Sequence, residues 1–403
     1  GQAPQHLVNE FAATIAEGGA EVVLLTGAEA MSTVARYATA PDRPDFSEHT
    51  DGDLEDRGYG LDGILSLRQV AHGMSDPATQ YALIENARRA RLGLSRADYA
   101  AAMGRLFAPF TRVAAGNPYA AAPIERTAAE LSTPTAANRM VVDPYTRYLI
   151  SRDKVNQGAA VLLMSLGAAR RAGVPEDRWV FLSGHADLRE RDLLERADLS
   201  ASPAAVLAAR HALNHAGITV ADLTAIDLYS CFPVPVFNVA DGLGLAHDDP
   251  RGLTVTGGLP FFGGPGNNYS MHAIASVVQR VRAGGIGLVG ANGGMMSKYS
   301  VGVYRAAPAP WVPDGSARLQ AEVDAWDAPA EAEEADGSAV IESCTVKADG
   351  TGVVLGRLAD GRRFVAKGED GDAALIKLLE SPEPIGERVR VESTPMGNRV
   401  TVA

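Results

Sequence analysis

Short apolar runs alternate with helix-like segments over residues 154–307. AAVLLMSL and LTAIDLYS have the length and composition of buried strands, and GGIGLVGANGG is a third such run that ends in glycines. Between the first two, SPAAVLAARHALNHAGI begins with Ser-Pro, a common start for a helix. Strands that alternate with helices pair mostly in parallel, because each helix carries the chain back across the sheet. The segment therefore predicts an α/β fold with a mostly parallel sheet covered on both faces.

The residues before this segment have a different character. Residues 1–40 show a helical pattern that runs into EVVLLTGAEA, a buried-type strand ending in a glycine turn. Residues 41–153 are irregular and polar, with the acidic stretch DFSEHTDGDLEDRG and alanine- and arginine-rich helices such as LIENARRARLGL. Because the chain opens in a helix that no strand precedes, we expect the numbering to begin inside a domain.

The end of the chain predicts a small β domain. After an acidic, alanine-rich linker come three short alternating strands, the helix-like DAALIKLLES and two more strands. This is the element order of an OB-like barrel. Its role is open between binding an oligonucleotide, docking a partner or covering a site, and capping a sheet so that dimerisation is blocked. Nucleic acid is the least favoured, because Phe364 is the only aromatic residue after residue 339 and acids outnumber bases there.

Charge and cysteine content restrict the function further. The 403 residues carry a formal net charge of −12, which disfavours nucleic acid as a partner. Cys231 and Cys344 are too few for a disulfide framework, which favours the cytoplasm. No apolar run has the length of a membrane span. His211 and His215 could supply half of a metal site, but no third ligand follows from the spacing, so a solvent-facing role is favoured and no metal is predicted.

Five segments resemble thiolase motifs in the same order along the chain. AEVVLLTGAEAMS is similar to the strand and turn after the nucleophile helix of thiolases, and VNQGAAVLLMS to a strand that opens with Asp-Gly-Ala-Ala. IDLYSCF stands where thiolases have Asn-Glu-Ala-Phe or His-Asp-Cys-Phe, GGLPFFGGPG where they have a glycine motif ending in Gly-His-Pro, and VGANGGMMS where they have Cys-X-Gly-Gly-Gly. The chain thus resembles the thiolase superfamily, most of all thiolase-like protein type 1, a group similar to the acetyl-CoA acetyltransferases of lipid metabolism.

The resemblance implies a thiolase-like fold. Two similar α/β halves would pack as a five-layer sandwich, with a loop domain inserted in the first half and the OB-like domain added at the end. It places the boundaries as follows: the remainder of the first half at 1–40 and 154–174, the loop domain at 41–153, the second half at 175–307, a linker at 308–338 and the additional domain at 339–403. It also implies that the start of the first half lies before Gly1. Monomer and dimer both stay open.

The same resemblance places the thiolase catalytic groups on residues of other chemistry. The nucleophilic cysteine falls at or beside Gly1, the histidine that activates it at Gly264, and the second, acid/base cysteine at Gly290. The residue that helps to bind the thioester oxygen falls at Tyr229. A thiolate and its base are needed to form an acyl-enzyme. Ordinary thiolase activity, the acyl transfer of the family, is therefore not expected.

A ligand pocket is expected even so. Glycines let a ligand approach backbone N–H groups, although each one alone could serve only a tight turn. Together they predict a site for CoA or an acyl-CoA, with no other cofactor. The predicted substrate-binding residues are Gly257, Gly258, Gly263, Asn267, Asn268, Gly293 and Gly294.

Two other functions stay open. Some thiolase-like proteins are aldolases that cleave β-hydroxyacyl-CoA with tyrosines and work with an OB-like partner domain. This favours Tyr229 as a general acid or base, provided that its pKa is lowered, with His272 as a second catalytic candidate. Structural roles compete for both residues and for Cys231, which would then pack or cap. The other alternative is a non-catalytic scaffold that binds a partner through the C-terminal domain.

Overall fold

The structure, a computed structural model, describes residues 1–49, 51–52, 55 and 65–403. Part of the acidic stretch at 45–58 lies outside the described residues. The described helices are α1 (Ala3–Ala16), α2 (Met31–Tyr37), α3 (Leu67–Ala71), α4 (Pro77–Arg91), α5 (Arg96–Ala115), α6 (Ala128–Ser132), α7 (Leu166–Arg171), α8 (Pro203–His215), α9 (Pro233–Leu243), α10 (Tyr269–Val281), α11 (Ser316–Asp324) and α12 (Ala373–Leu379). Among them we find none that is both long and apolar enough to cross a membrane.

The strands belong to two sheets, a short hairpin and a barrel. The described strands are β1 (Val22–Ala30), β2 (Met140–Val142), β3 (Tyr145–Thr146), β4 (Asn156–Met164), β5 (Phe181–Arg189), β6 (Ala225–Leu228), β7 (Ile286–Gly293), β8 (Lys298–Arg305), β9 (Gly337–Val346), β10 (Gly352–Leu358), β11 (Arg363–Gly368), β12 (Arg388–Glu392) and β13 (Arg399–Val402). The apolar runs and the Ser-Pro helix that were predicted from the sequence are present as β4, β6, β7 and α8.

Two sheets lie on either side of a pair of central helices. β1 and β4 pair antiparallel, and β5, β8, β7 and β6 form a four-stranded sheet in that order. α1 and α10 pack between the sheets, and α8 covers the other face of the four-stranded sheet. Small residues allow this close approach: a Cβ at Gly184 would lie 2.1 Å from the carbonyl oxygen of Ala212 in α8, and one at Gly287 would lie 2.3 Å from a methyl of Val277 in α10. Helices thus cover both faces, as predicted.

The prediction of a mostly parallel sheet is wrong. In the four-stranded sheet only β6 and β7 pair in parallel, whereas β8 runs antiparallel to both β7 and β5. β8 follows β7 after the short turn at 294–297, and a turn of this length can join only antiparallel neighbours. The first predicted strand, β4, lies in the other sheet, because it pairs with β1 along its whole length.

The C-terminal strands close into a barrel. Their order is β10–β11–β13–β12–β9, with α12 between β11 and β12, and β11 and β13 are parallel. This confirms the predicted OB-like domain. Alternate residues of β10 and β11 point outward, and Val353, Leu355 and Val365 join the core of the main body. OB-folds bind oligonucleotides on the face of their second and third strands, and here the body of the same chain covers that face.

The segment predicted as a linker, 308–338, contains a helix. Leu319 and Val323, four residues apart in α11, are both buried, and α11 packs against β5. Sequence reasoning missed α11 because its apolar stripe consists of only two large residues in an acidic, alanine-rich stretch.

Buried polar contacts join the barrel to the main body. Arg363 of β11 has no exposed surface, pairs with Glu342 of β9 at 2.6 Å, and donates to the carbonyl oxygens of Leu194 and Arg196 at 2.8 and 2.6 Å. On the neighbouring strand the Ser343 hydroxyl donates to the carbonyl oxygen of Leu83 in α4 at 2.6 Å. A buried charge that lost these partners would be strongly destabilising, so the two parts form one structural unit.

Helix α4 is buried along most of its length and carries a buried carboxyl group, Glu85. Glu85 accepts hydrogen bonds from the Tyr99 hydroxyl, from the Tyr145 hydroxyl at 2.7 Å and from the backbone N–H of Val234 at 2.8 Å. Burial raises the pKa of Glu85 to about 7, although the two hydroxyl donors oppose this. Because Val234 lies in the first turn of α9, Glu85 satisfies a free N–H at the start of that helix.

We predict that Glu85 makes stability depend on pH. Its pKa is raised from 4.5 to about 7 on folding, so its stabilising contribution is complete below pH 4.5 and is lost as pH rises through 7. Relative to wild type, Glu85→Gln should remove a decrease of roughly 2–3 kcal/mol in the free energy of unfolding between pH 5 and pH 8. Urea denaturation at several pH values measures this, and Glu322→Gln, an exposed control, should follow wild type. Parallel pH profiles for Glu85→Gln and wild type would contradict the prediction.

Candidate functional site

A cavity of about 900 Å³ opens between the loop segment at 122–154, the start of α4 and the glycine-rich segments 259–267 and 292–295. Its inner wall is mostly apolar and buried. The apolar residues of this wall are Tyr81, Phe232, Leu259, Phe261 and Met295. The cavity is large enough for a ligand well above the size of a metabolite fragment.

Tyr229 lies on the inner wall. Strand β6 ends just before it, its backbone N–H donates to the carbonyl oxygen of Gly290, and its ring meets that of Tyr269 edge to face at 5.4 Å. Its hydroxyl accepts a hydrogen bond from the nitrogen of Gly1. Burial, and then the nearby Cys231, hold the pKa of Tyr229 well above its ordinary value. The hydroxyl therefore stays protonated, and the lowered pKa that a tyrosine base requires is not present.

A polar group of three side chains lies beside Tyr229. The hydroxyl of Tyr81 accepts from the amide of Asn292 at 3.0 Å and from the backbone N–H of Met296 at 3.3 Å, and donates to the carbonyl oxygen of Gly294 at 3.2 Å. The Asn292 amide is also 4.0 Å from the Cys231 sulfur. Burial raises the pKa of Cys231 to about 11. The thiol is thus neutral at physiological pH, which suits packing better than nucleophilic attack.

Six predicted positions line the cavity, and the others do not. The positions on its wall are Gly1, Tyr229, Gly264, Asn267, Gly293 and Gly294. The positions away from it are Gly257, Gly258, Gly263, Asn268, Gly290 and His272. His272 packs its ring 5.2 Å from Phe262, and burial lowers its pKa to about 4, so it is neutral and remote from the cavity wall.

Close packing explains the glycines that lie away from the cavity. Gly257 has a φ of 111°, and a Cβ there would lie 2.6 Å from the Cα of Ala114 in α5. A Cβ at Gly258 would lie 2.7 Å from the Phe110 ring and from the Ser230 hydroxyl. These positions therefore need glycine for the turn and for helix packing. The Asn268 amide donates to the carbonyl oxygen of Gly27 at 2.6 Å, which joins the glycine-rich segment to β1.

Five cationic side chains surround the outer part of the cavity, against two carboxylates. The cations are Arg126, Arg139, Arg147, Arg152 and Lys154, and the carboxylates are Asp76 and Asp153. Asp76 is already paired with Lys347 at 3.1 Å.

Arg152 is the least compensated of the five cations. Its Nε is buried and has no hydrogen-bond partner in the described part of the chain. Burial, followed by the nearby Arg147 guanidinium, lowers the pKa of Arg152 below its ordinary value. An uncompensated positive cluster in a protein of net charge −12 favours an anionic ligand.

Sequence reasoning did not single out this cationic cluster. Four of its members fall between residues 139 and 154, where RYLISRDK concentrates positive charge in an acidic chain. That local excess of charge was the available signal. The helix and strand patterns, however, gave no indication that these residues face the same cavity as the glycine-rich segment.

The histidines form a cluster away from the cavity. His185 of β5 lies near His215 of α8 at a ring distance of 5.3 Å and is covered by the Trp311 ring at 4.8 Å. Nε2 of His211 accepts from the backbone N–H of Gly315 at 3.3 Å. In the described residues no group of three or more histidine, cysteine or acidic side chains has a geometry suited to a metal ion. His211 and His215 are thus partly buried packing residues, and the predicted solvent-facing role is wrong for His215, which lies against β5.

The layered α/β body with a barrel at its end is the architecture of a thiolase-like protein. Residues 318–395 match the family model described as the thiolase-like protein type 1 additional C-terminal domain. The crystal structure of a monomeric SCP2-thiolase like protein type 1 from Mycobacterium smegmatis is 52% identical, with a TM-score of 0.89, and the match covers 100% of this chain and 82% of that chain. This chain belongs to the SCP2-thiolase-like protein type 1 family, which confirms the resemblance seen in its motifs.

A more distant structure shares the fold. An Ltp2–ChsH2(DUF35) aldolase is 19% identical, with a TM-score of 0.56, over 76% of this chain and 78% of that chain. Comparison with the curated proteins finds no similar sequence.

We predict that Cys231 is unreactive in the native protein. With pKa values of about 11 for Cys231 and about 12 for Cys344, both thiols should react with Ellman's reagent at pH 8 at least about 100-fold more slowly than glutathione. Both should react after unfolding. In a Cys344→Ala variant the signal reports Cys231 alone. A rapid native reaction in that variant would show that a thiolate faces the cavity.

Proposed function

We propose that the protein binds CoA or an acyl-CoA in this cavity and has no ordinary thiolase activity. The observation that carries the proposal is the cationic cluster around the outer part of the cavity, above all Arg152 with its buried, unpaired Nε. CoA presents phosphates at one end and a thioester on a long neutral arm at the other.

The exposed cations suit the phosphate end. Arg139, Arg147 and Lys154 are exposed to solvent, while Arg126 stacks over the Tyr148 ring at 4.1 Å. Arginine binds phosphate through several N–H donors at once, and its flat guanidinium stacks on ring systems. A nucleotide phosphate would supply the charge that this cluster lacks.

The inner wall suits the thioester end. It is apolar apart from Tyr229, Ser151, Asn267, Asn292 and Cys231. The raised pKa of Cys231 leaves it without a thiolate at neutral pH, and Gly264 and Gly290 carry no side chain that could act as a base. Acyl transfer through a covalent enzyme intermediate would need both groups. The monomeric state described for the Mycobacterium smegmatis protein supports the same state here, and the cytoplasm stays the predicted location.

Reversing one charge of the cluster should weaken CoA binding. Arg147→Glu should raise the dissociation constant for CoA by about 10-fold at low salt, and the difference should shrink as salt screens the charges. Arg280→Glu makes the same charge change on α10, away from the cavity, and should bind like wild type. Titration calorimetry measures both.

The same titration with an acetyl ester of pantetheine, which lacks the phosphates, should not distinguish Arg147→Glu from wild type. Equal CoA affinities of the two reversed proteins would show that the cluster does not hold the phosphates.

The aldolase alternative depends on Tyr229, which does line the cavity. Because its pKa is raised, Tyr229 can donate a hydrogen bond but cannot take the proton of a β-hydroxyl group. We therefore expect wild type to release no aldehyde or ketone from β-hydroxyacyl-CoA esters, and Tyr229→Phe to behave in the same way. Cleavage by wild type that falls by about 10²–10⁴-fold in Tyr229→Phe would instead establish carbon–carbon lyase chemistry.

A further inference from the structure

Ser151 lies where three segments of the cavity wall meet. Its backbone N–H donates to the carbonyl oxygen of Cys231 at 2.9 Å, and the next residue, Arg152, donates to the carbonyl oxygen of Leu259 at 3.1 Å and accepts from the N–H of Gly264 at 2.8 Å. Three backbone hydrogen bonds therefore fix the position of Ser151. Its hydroxyl fills the space beside Gly264, since a Cβ there would lie 2.0 Å from the Ser151 Oγ.

Asn267 fills a similar space beside Gly1. A Cβ at Gly1 would lie 2.5 Å from the Asn267 Oδ1, and the Gly1 nitrogen itself donates to the Tyr229 hydroxyl. Tyr229, Ser151 and Asn267 therefore stand around the same glycine positions, Gly1 and Gly264, on the cavity wall. Among the described residues, neither the Ser151 hydroxyl nor the Asn267 amide has a hydrogen-bond partner.

We infer that Ser151, Asn267 and Tyr229 together bind a hydroxyl or carbonyl oxygen on the acyl part of the ligand, close to the thioester. This inference rests on the proposed binding of acyl-CoA. Serine and asparagine side chains can each donate and accept, and a protonated tyrosine can donate, so the three groups match a hydroxyl ligand in either role. A saturated acyl chain would displace water from these groups and leave them unpaired, which is unfavourable next to the apolar wall of Leu259 and Phe261.

The test compares two esters that differ only in one oxygen. Titration calorimetry with 3-hydroxybutyryl-CoA, butyryl-CoA and CoA should show that wild type binds the hydroxy ester about 3- to 10-fold more tightly than the saturated ester. Ser151→Ala should reduce this ratio to nearly one without changing the affinity for CoA. Asn267→Ala, at an exposed position, should also reduce it and serves as a second variant if Ser151→Ala does not fold.

A matched control separates binding from general damage. Ser132→Ala removes a hydroxyl from α6 that bonds only to the carbonyl oxygen of Ala128 and lies away from the cavity wall, so it should keep the wild-type ratio. A wild-type ratio near one, or a ratio that survives in both Ser151→Ala and Asn267→Ala while CoA still binds, would overturn the inference. Failure of CoA and both esters to bind wild type would overturn the proposed function itself.

Discussion

The buried carboxyl group of Glu85 joins elements that are distant in the sequence. From α4 it reaches Tyr99 of α5, Tyr145 of β3 and the start of α9, all with hydrogen bonds inside the core. The start of α9 directly follows the YSCF segment, so this contact also sets where Tyr229 and Cys231 stand. A buried carboxyl group is tolerated only when its oxygens are satisfied, and this requirement leaves α4 little freedom to shift.

The barrel contributes to the cavity wall although it does not reach the cavity with a side chain of its own among the described lining residues. Its buried Arg363 holds the carbonyl oxygen of Arg196. The guanidinium of Arg196 in turn donates to the carbonyl oxygens of Met295 and Met296 at 2.7 and 3.0 Å. Met296 has a φ of 54°, an uncommon conformation for a residue with a side chain. The turn that ends the glycine-rich wall is thus held by Arg196 on one side and by Tyr81 on the other.

Position in the cavity separates two kinds of chemistry. Exposed cations stand at its outer part, where solvent can replace a departing ligand, and neutral groups with raised pKa values stand at the inner wall. A positive charge at the inner wall would be costly to bury, whereas at the rim it is hydrated and can still attract an anion over several ångströms. This arrangement is that of a site that captures an anionic ligand and shields its neutral end from water.

The sequence by itself determined the family, the OB-like barrel and the existence of the main helices and strands, because each of these is written in local periodicity or in the order of short motifs. It also placed Tyr229, Asn267, Gly264, Gly293 and Gly294 in segments that do meet at the cavity. Tertiary structure decided the antiparallel pairing of β8 with its neighbours, the burial of α11 and the role of each glycine. Gly257 and Gly258 look the same as Gly293 in sequence, yet they pack against α5. Only the folded chain brings Ser151 and the cations of 126–154 to the same cavity, since hydrogen bonds between distant segments, which leave no periodic pattern, position them.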